Sequence, residues 1–246
     1  MIHIIKNSLN NFFVLFLLIV VATTPGFVTK QPPDDNRFIS YTVDIKKQDI
    51  KLYWKDDKQQ HFRSIQNLKT WLEANKKTLL FAMNAGMYTP DGSPLGLFIE
   101  NKKTVKQLNT KNGYGNFYLK PNGVFYITTD NIAGVCETKN FVNKGNIKYA
   151  TQSGPMLLVD GKIHPAFKEG SVNLNIRNGV GLLPGNKVVF AMSKEEVNFY
   201  DFALYFKNLG CTYALYLDGF VSQTYLPEKN WIQTGGDFGV MIGVVK

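Results

Sequence analysis

Four short segments of the chain bring polar side chains and glycine together at the ends of apolar runs. Asn84-Ala85-Gly86-Met87-Tyr88 offers an amide that can donate and accept, beside a glycine that lets a ligand approach the backbone. Gln152-Ser153-Gly154-Pro155 offers an amide and a hydroxyl. Asn175-Ile176-Arg177-Asn178-Gly179-Val180-Gly181 sets a guanidinium fork beside glycine N–H groups, a combination suited to an anion. Leu217-Asp218-Gly219 ends an apolar strand on a carboxylate, with Ser222 close behind. Asp218 therefore falls at a partly desolvated sheet rim, where a raised pKa or a bound cation is natural. Each segment also has a plainer reading: a satisfied turn amide for Asn84, a structural ion pair for Arg177, a turn carboxylate for Asp218.

Composition narrows the chemistry. Two cysteines among 246 residues cannot build a Cys₄ zinc site or an iron–sulfur cluster. Three histidines, one of them His3, leave little for a histidine-bound zinc or a Ser–His pair at Ser153, which also lacks the G-x-S-x-G context. The net charge of +9 favours an anionic ligand, but the lysines are scattered as in a solvated surface, and no nucleic-acid partner is expected.

The elements that must position these residues follow from the pattern. Lys6 and the apolar run Phe12–Ala22 read as a signal peptide over 1–22, so export to a periplasmic or secreted bacterial location is expected, with no membrane span once the signal is removed. Residues 23–37 read as a polar, Pro-containing linker, and 38–246 as one domain. An oxidising compartment would permit a Cys136–Cys211 disulfide, with two buried free thiols the alternative.

Strands are expected at 38–45, 50–54, 79–83, 95–99, 115–119, 124–128, 156–159, 188–192, 214–217 and 239–245. Lys120-Pro121-Asn122-Gly123 reads as a hairpin turn between the fifth and sixth of these. Helical spacing places helices at 64–75 and 199–209, the second capped by Asn198 with Asp201 reaching back. Many strands and few helices without regular alternation predict an α+β domain with a mixed, twisted sheet.

Taken in order, the four segments (Asn84-Ala85-Gly86-Met87, Gln152-Ser153-Gly154-Pro155-Met156-Leu157, Arg177 to Gly181, and Leu217-Asp218-Gly219 followed by Ser222) resemble the phosphodiester glycosidase family over about 79–246. The resemblance implies an exported hydrolase acting on a sugar-1-phosphodiester of a glycan or cell-surface polymer. It marks Asp218 and Arg177 as catalytic, and Asn84, Gly86, Gln152, Ser153, Gly154, Asn178, Gly179, Gly181, Gly219 and Ser222 as substrate-binding. The family's animal pattern runs L-D-G-G-G-S, whereas Phe220 and Val221 replace two small residues here. They are expected at the pocket floor, reshaping it, so N-acetylglucosamine specificity is not carried over.

A phosphate leaves as a stable anion, so charge stabilisation matters more than an acid catalyst. Arg177 is the expected stabiliser, aided by N–H groups around Gly154 and Gly179–Gly181. Asp218 is expected as nucleophile, as base for water, or as ligand of a Ca²⁺-like ion. Two rivals remain: a non-catalytic module that binds anionic glycans, and a phosphodiesterase that cuts P–O.

Overall fold

The structure, a computed structural model, describes residues 35–246. The expected signal peptide and most of the expected linker lie outside the described residues. Arg37, at the linker's end, pairs with Asp35 at 2.8 Å and approaches Asp201 at 3.7 Å.

The elements in chain order are β1 (Phe38–Asp44), β2 (Asp49–Tyr53), α1 (Ile65–Ala74), β3 (Leu79–Asn84), β4 (Phe98–Glu100), β5 (Lys103–Lys106), β6 (Gly123–Thr128), β7 (Ala133–Glu137), β8 (Ile147–Ser153) and β9 (Met156–Val159). There follow β10 (Lys162–Ile163), β11 (Asn178–Leu183), β12 (Lys187–Ser193), α2 (Phe199–Asn208), β13 (Tyr213–Tyr216), β14 (Thr224–Leu226), β15 (Trp231–Ile232) and β16 (Met241–Val245).

They form three sheets, ordered β1-β12-β11-β13-β9-β10, β15-β14-β3-β16-β2 and β5-β4-β8-β6-β7. Every pairing is antiparallel. The fold is thus mainly β, and the expected mixed sheet is corrected. Parallel strands need long helical crossovers, and two helices of ten residues each cannot supply them for three sheets.

Inward side chains of all three sheets share one core, including Val43, Leu52, Phe81, Phe98, Phe125, Val180, Phe190 and Leu215. α2 covers the first sheet with Phe202, Ala203 and Phe206, and α1 covers the second with Ile65, Leu68 and Leu72. Both helices start where side-chain caps allow. Ser64 accepts from the N–H of Asn67 at 3.1 Å, and Asn198 accepts from that of Asp201 at 2.8 Å.

Two local expectations change. The segment expected as a strand at 115–119 holds a 3₁₀ turn at Asn116–Tyr118. Phe117 is buried, and its carbonyl accepts from Asn122 Nδ2 at 2.8 Å, so β6 pairs with β7 and β8 instead. Cys136 on β7 and Cys211, packed between α2 and Gly181, are both free thiols, so of the two alternatives the disulfide is not formed. Burial pushes them up, to about 11 for Cys136 and about 12 for Cys211. Among the described residues no helix is long and apolar enough to cross a membrane.

Candidate active site

The three sheets meet at the loop that leaves β13. This loop, Leu217 to Gln223, carries the chain from the first sheet to β14 of the second. One residue from each sheet ties it down. Asn178, opening β11, accepts from the N–H of Asp218 at 2.8 Å. Asn84, closing β3, donates to the Asp218 carbonyl at 3.1 Å and accepts from the N–H of Gln223 at 3.1 Å. Ser153, closing β8, donates to the Leu217 carbonyl. Asn178 Nδ2 in turn donates to both oxygens of Asn84, at 2.9 and 3.0 Å. Ser222 closes the turn, donating to the Asp218 carbonyl at 2.6 Å.

The predicted polar residues therefore divide into two kinds. The side chains of Asn84, Asn178 and Ser153 are buried and bonded to the chain itself. So is Gln152, which accepts from the N–H groups of Leu97 and Asn109 (each 2.9 Å) and donates to Asn109 O at 2.7 Å and Thr138 Oγ1 at 3.2 Å. The structure places these four side chains in bonds within the chain that hold the site in shape. Ser153 has no histidine beside it to act as base. His164 is tied through Nε2 to Lys120 O and through Nδ1 to the N–H of Ala166.

The glycines change role for a related reason. Gly179 and Gly181 lie within β11, flanked by β12 and β13, so this stretch is ladder rather than an open cradle. A Cβ on Gly181 would meet Cys211 Sγ and the Phe206 ring at 2.6 Å; one on Gly179 would meet Leu215 O at 2.8 Å. Gly86 presses on Thr151 and Gly154 on Asn122 in the same manner. They permit close packing, and at Gly179 and Gly181 the backbone belongs to the ladder.

Arg177 and Asp218 form the second kind. Arg177 is 1% exposed. Its Nε donates to Val197 O at 2.7 Å and its Nη2 to Asn173 O at 2.8 Å. The guanidinium stacks on Phe199 at 3.6 Å and lies 5.8 Å from the Tyr216 ring. Among the described residues it has no carboxylate partner. Desolvation lowers its pKa, opposed by the nearby Tyr216. A buried cation without a counter-ion is costly, and it lies at the N-terminal, electropositive end of α2. Among the described residues its charge is thus left without a counter-ion.

Asp218 is part-buried, and desolvation raises its carboxyl to about 7, against the opposing hydrogen bond from Gly219 N–H. Its field reaches two tyrosines that the sequence reading missed. Tyr216 is buried, its pKa raised chiefly by desolvation, and its hydroxyl lies where a Cβ on Gly219 would be. Gly219 is glycine because that hydroxyl occupies the space. Tyr88 is raised to about 12 by desolvation and by Asp218, and its hydroxyl donates to Asp237 O at 2.8 Å. Tyr216 thus touches Arg177 on one side and the Asp218 loop on the other. Its only sequence signal was an aromatic two residues before the carboxylate.

Phe220 and Val221 do not form a pocket floor. Phe220 projects into solvent, 87% exposed, and Val221 packs against the α1 cluster. Nor does the donor set suit Ca²⁺, which takes six to eight oxygens, usually several from carboxylates. Among the described residues no three His, Cys, Asp or Glu side chains converge.

Residues 77–244 match the phosphodiester glycosidase family. The Escherichia coli K12 protein named "Uncharacterized protein YigE" is 37% identical over 188 residues, covering 76% of this chain and 73% of YigE. The fold is shared with the catalytic domain of zebrafish N-acetylglucosamine-1-phosphodiester alpha-N-acetylglucosaminidase, auto-inhibited by its pro-peptide. That match has a TM-score of 0.57 and 14% identity, and it covers 87% of this chain and 85% of the zebrafish one. A Synechocystis protein gives a TM-score of 0.52 at 12% identity, over 85% of this chain and 59% of its own. With the family matched across the three sheets that converge on Asp218, the chain belongs to the phosphodiester glycosidase family.

Proposed function

We propose that the protein hydrolyses a sugar-1-phosphodiester, breaking the bond between the anomeric carbon and the phosphate oxygen. The observation that carries this reading is Arg177, a buried guanidinium with no carboxylate partner, linked through Tyr216 to the loop of a carboxyl that titrates near 7. Arg177 binds the phosphate and stabilises the charge that grows on it as the bond breaks. Asp218 removes a proton from water, which attacks the anomeric carbon, and a phosphate monoester leaves. A base with a pKa near the working pH suits that role. The departing phosphate is a stable anion, so no second carboxyl is needed to protonate it.

Asn84, Asn178, Ser153 and Ser222 position the Asp218 carboxyl by holding its backbone. The apolar segment Phe12–Ala22 would deliver the protein to glycans or polymers outside the cytoplasm.

The test is incubation with N-acetylglucosamine-1-phosphodiesters and their glucose, galactose and mannose counterparts, in ¹⁸O-labelled water. Free sugar carrying the label is expected. Label in the phosphate would show P–O cleavage and overturn the bond assignment. Saturable binding without any product would show a glycan-binding module.

A further inference from the structure

We propose that the alcohol side of the substrate's phosphodiester carries a hydrocarbon chain, so that the substrate is a glycosyl phosphodiester of a lipid alcohol. This rests on the hydrolytic reading above and names its substrate class. The two loops that build the anion pocket also carry apolar side chains into solvent. Val172 is 92% exposed, Leu174 47% and Phe220 87%.

Their placement is tied to the site. Asn173, between Val172 and Leu174, is the residue whose carbonyl and side-chain oxygens receive Arg177 Nη2. Its position is fixed in turn, because Asn175 Nδ2 donates to Asn173 Oδ1 at 2.9 Å and Leu174 N–H to Val172 O at 2.9 Å. Phe220 directly follows Gly219. A Cβ on Gly219 would lie 2.8 Å from Ile176 O, so the two loops are in contact. The Ser222 N–H donates to Gly219 O at 2.7 Å and holds the turn that presents Phe220.

Between the 166–173 segment and the start of α2 runs a cleft of about 520 Å³. Leu119, Phe167, Val172 and Phe199 line it. Phe199 is the ring on which Arg177 stacks, and Phe167 stacks on Phe199 at 4.8 Å. One wall therefore runs from Arg177 to the cleft, whose apolar side chains stand among Lys168, Glu169 and Ser171. An unpaired buried cation at one end and apolar side chains at the other match an amphiphile with a phosphate at its head. Exposed apolar groups grouped at a site mark a ligand surface, unlike those scattered singly.

The test uses the full chain in two arms. The first compares methyl phosphate with dodecyl phosphate below its micellar concentration, by calorimetry. The dodecyl ester is expected to bind at least tenfold tighter, and Val172→Ser with Phe220→Ser to bring the ratio close to one. Both positions are exposed, and an unchanged circular dichroism spectrum checks the fold. The second arm compares kcat/KM on methyl, octyl and dodecyl esters of N-acetylglucosamine-1-phosphate, which is expected to rise with chain length.

Sugar released at a rate indifferent to chain length, with flat binding, overturns this inference and leaves the hydrolytic reading intact. Chain-length-dependent binding without sugar from any ester supports the apolar site and sinks the hydrolytic reading. Binding to phosphatidylglycerol vesicles that Phe220→Ser abolishes, with no chain-length effect on soluble esters, overturns it in favour of bilayer docking.

Discussion

The Asn84–Asn178–Ser153 latch and the Arg177–Asp218 pocket lie side by side, yet they treat polar groups in opposite ways. In the latch, buried donors and acceptors find partners in the chain, so removing one strands another. In the pocket, a guanidinium is buried without a carboxylate and a carboxyl is desolvated until it titrates near 7. Polar groups satisfied within the chain maintain a shape, whereas a buried charge whose hydrogen bonds are met but which has no counter-ion among the described residues is poised for an anion. A cleft bordered by β2 makes the same point from the other side. Lys51, Lys55 and Lys77 line it beside Asp56, Asp57 and Glu100, so charge alone does not mark the reactive place.

The sharpest test of the contrast is Asp218→Asn. Loss of the base is expected to lower sugar release by about 10³-fold, within the range for general base catalysis. Stability should move the other way. The folded pKa of Asp218 is raised, so the folded state holds its proton more tightly than the unfolded chain between about pH 4 and 7. Its contribution is therefore favourable below that window and lost as pH rises through 7. Asp218→Asn should stabilise the protein at pH 8 by roughly 2 kcal/mol relative to its effect at pH 4, after discounting for partial exposure. Equal melting shifts at both pH values would show that the carboxyl is not desolvated.

Arg177→Lys should come next. It keeps the charge but loses the planar fork that donates to Val197 and Asn173, and kcat/KM is expected to fall about 10²-fold. Retained turnover would remove Arg177 from the chemistry.

The wild-type pH–rate profile should then rise with an ascending midpoint near pH 7, because the base works deprotonated. A midpoint near 4 would place the base elsewhere.

On the latch side the expected effects are on stability. Gln152→Ala strands the N–H groups of Leu97 and Asn109 and should cost about 2 kcal/mol in denaturant unfolding, with kcat changed only a few-fold. Ser153→Ala, smaller still, should cost about 1 kcal/mol and keep activity. Complete loss of activity in folded Ser153→Ala would revive a nucleophilic serine.

Much of the architecture was legible because burial imposes periodicity. α1 and α2 begin and end within a residue of their expected spans, and Asn198 caps α2 as expected, while Ser64, expected as the first residue of α1, is its cap. Strands with apolar runs, such as β3 and β12, were equally plain. β8 and β11 were not. Ile147–Ser153 is broken by polar residues and Asn178–Leu183 by Asn and two glycines, patterns that read as loop. β11 is a central strand whose glycines let α2 and its neighbours close over it, and β8 is central because β4 and β6 pair with it on both sides.

The family and the raised pKa expected of Asp218 at a strand end followed from the sequence itself, since residue type and order suffice for them. Only the tertiary structure decided the roles. Whether an amide meets a ligand or a backbone, and whether an arginine meets a carboxylate or none, depends on which strands become neighbours. Those contacts join residues 94 positions apart, as at Asn84 and Asn178, and local pattern carries no record of them.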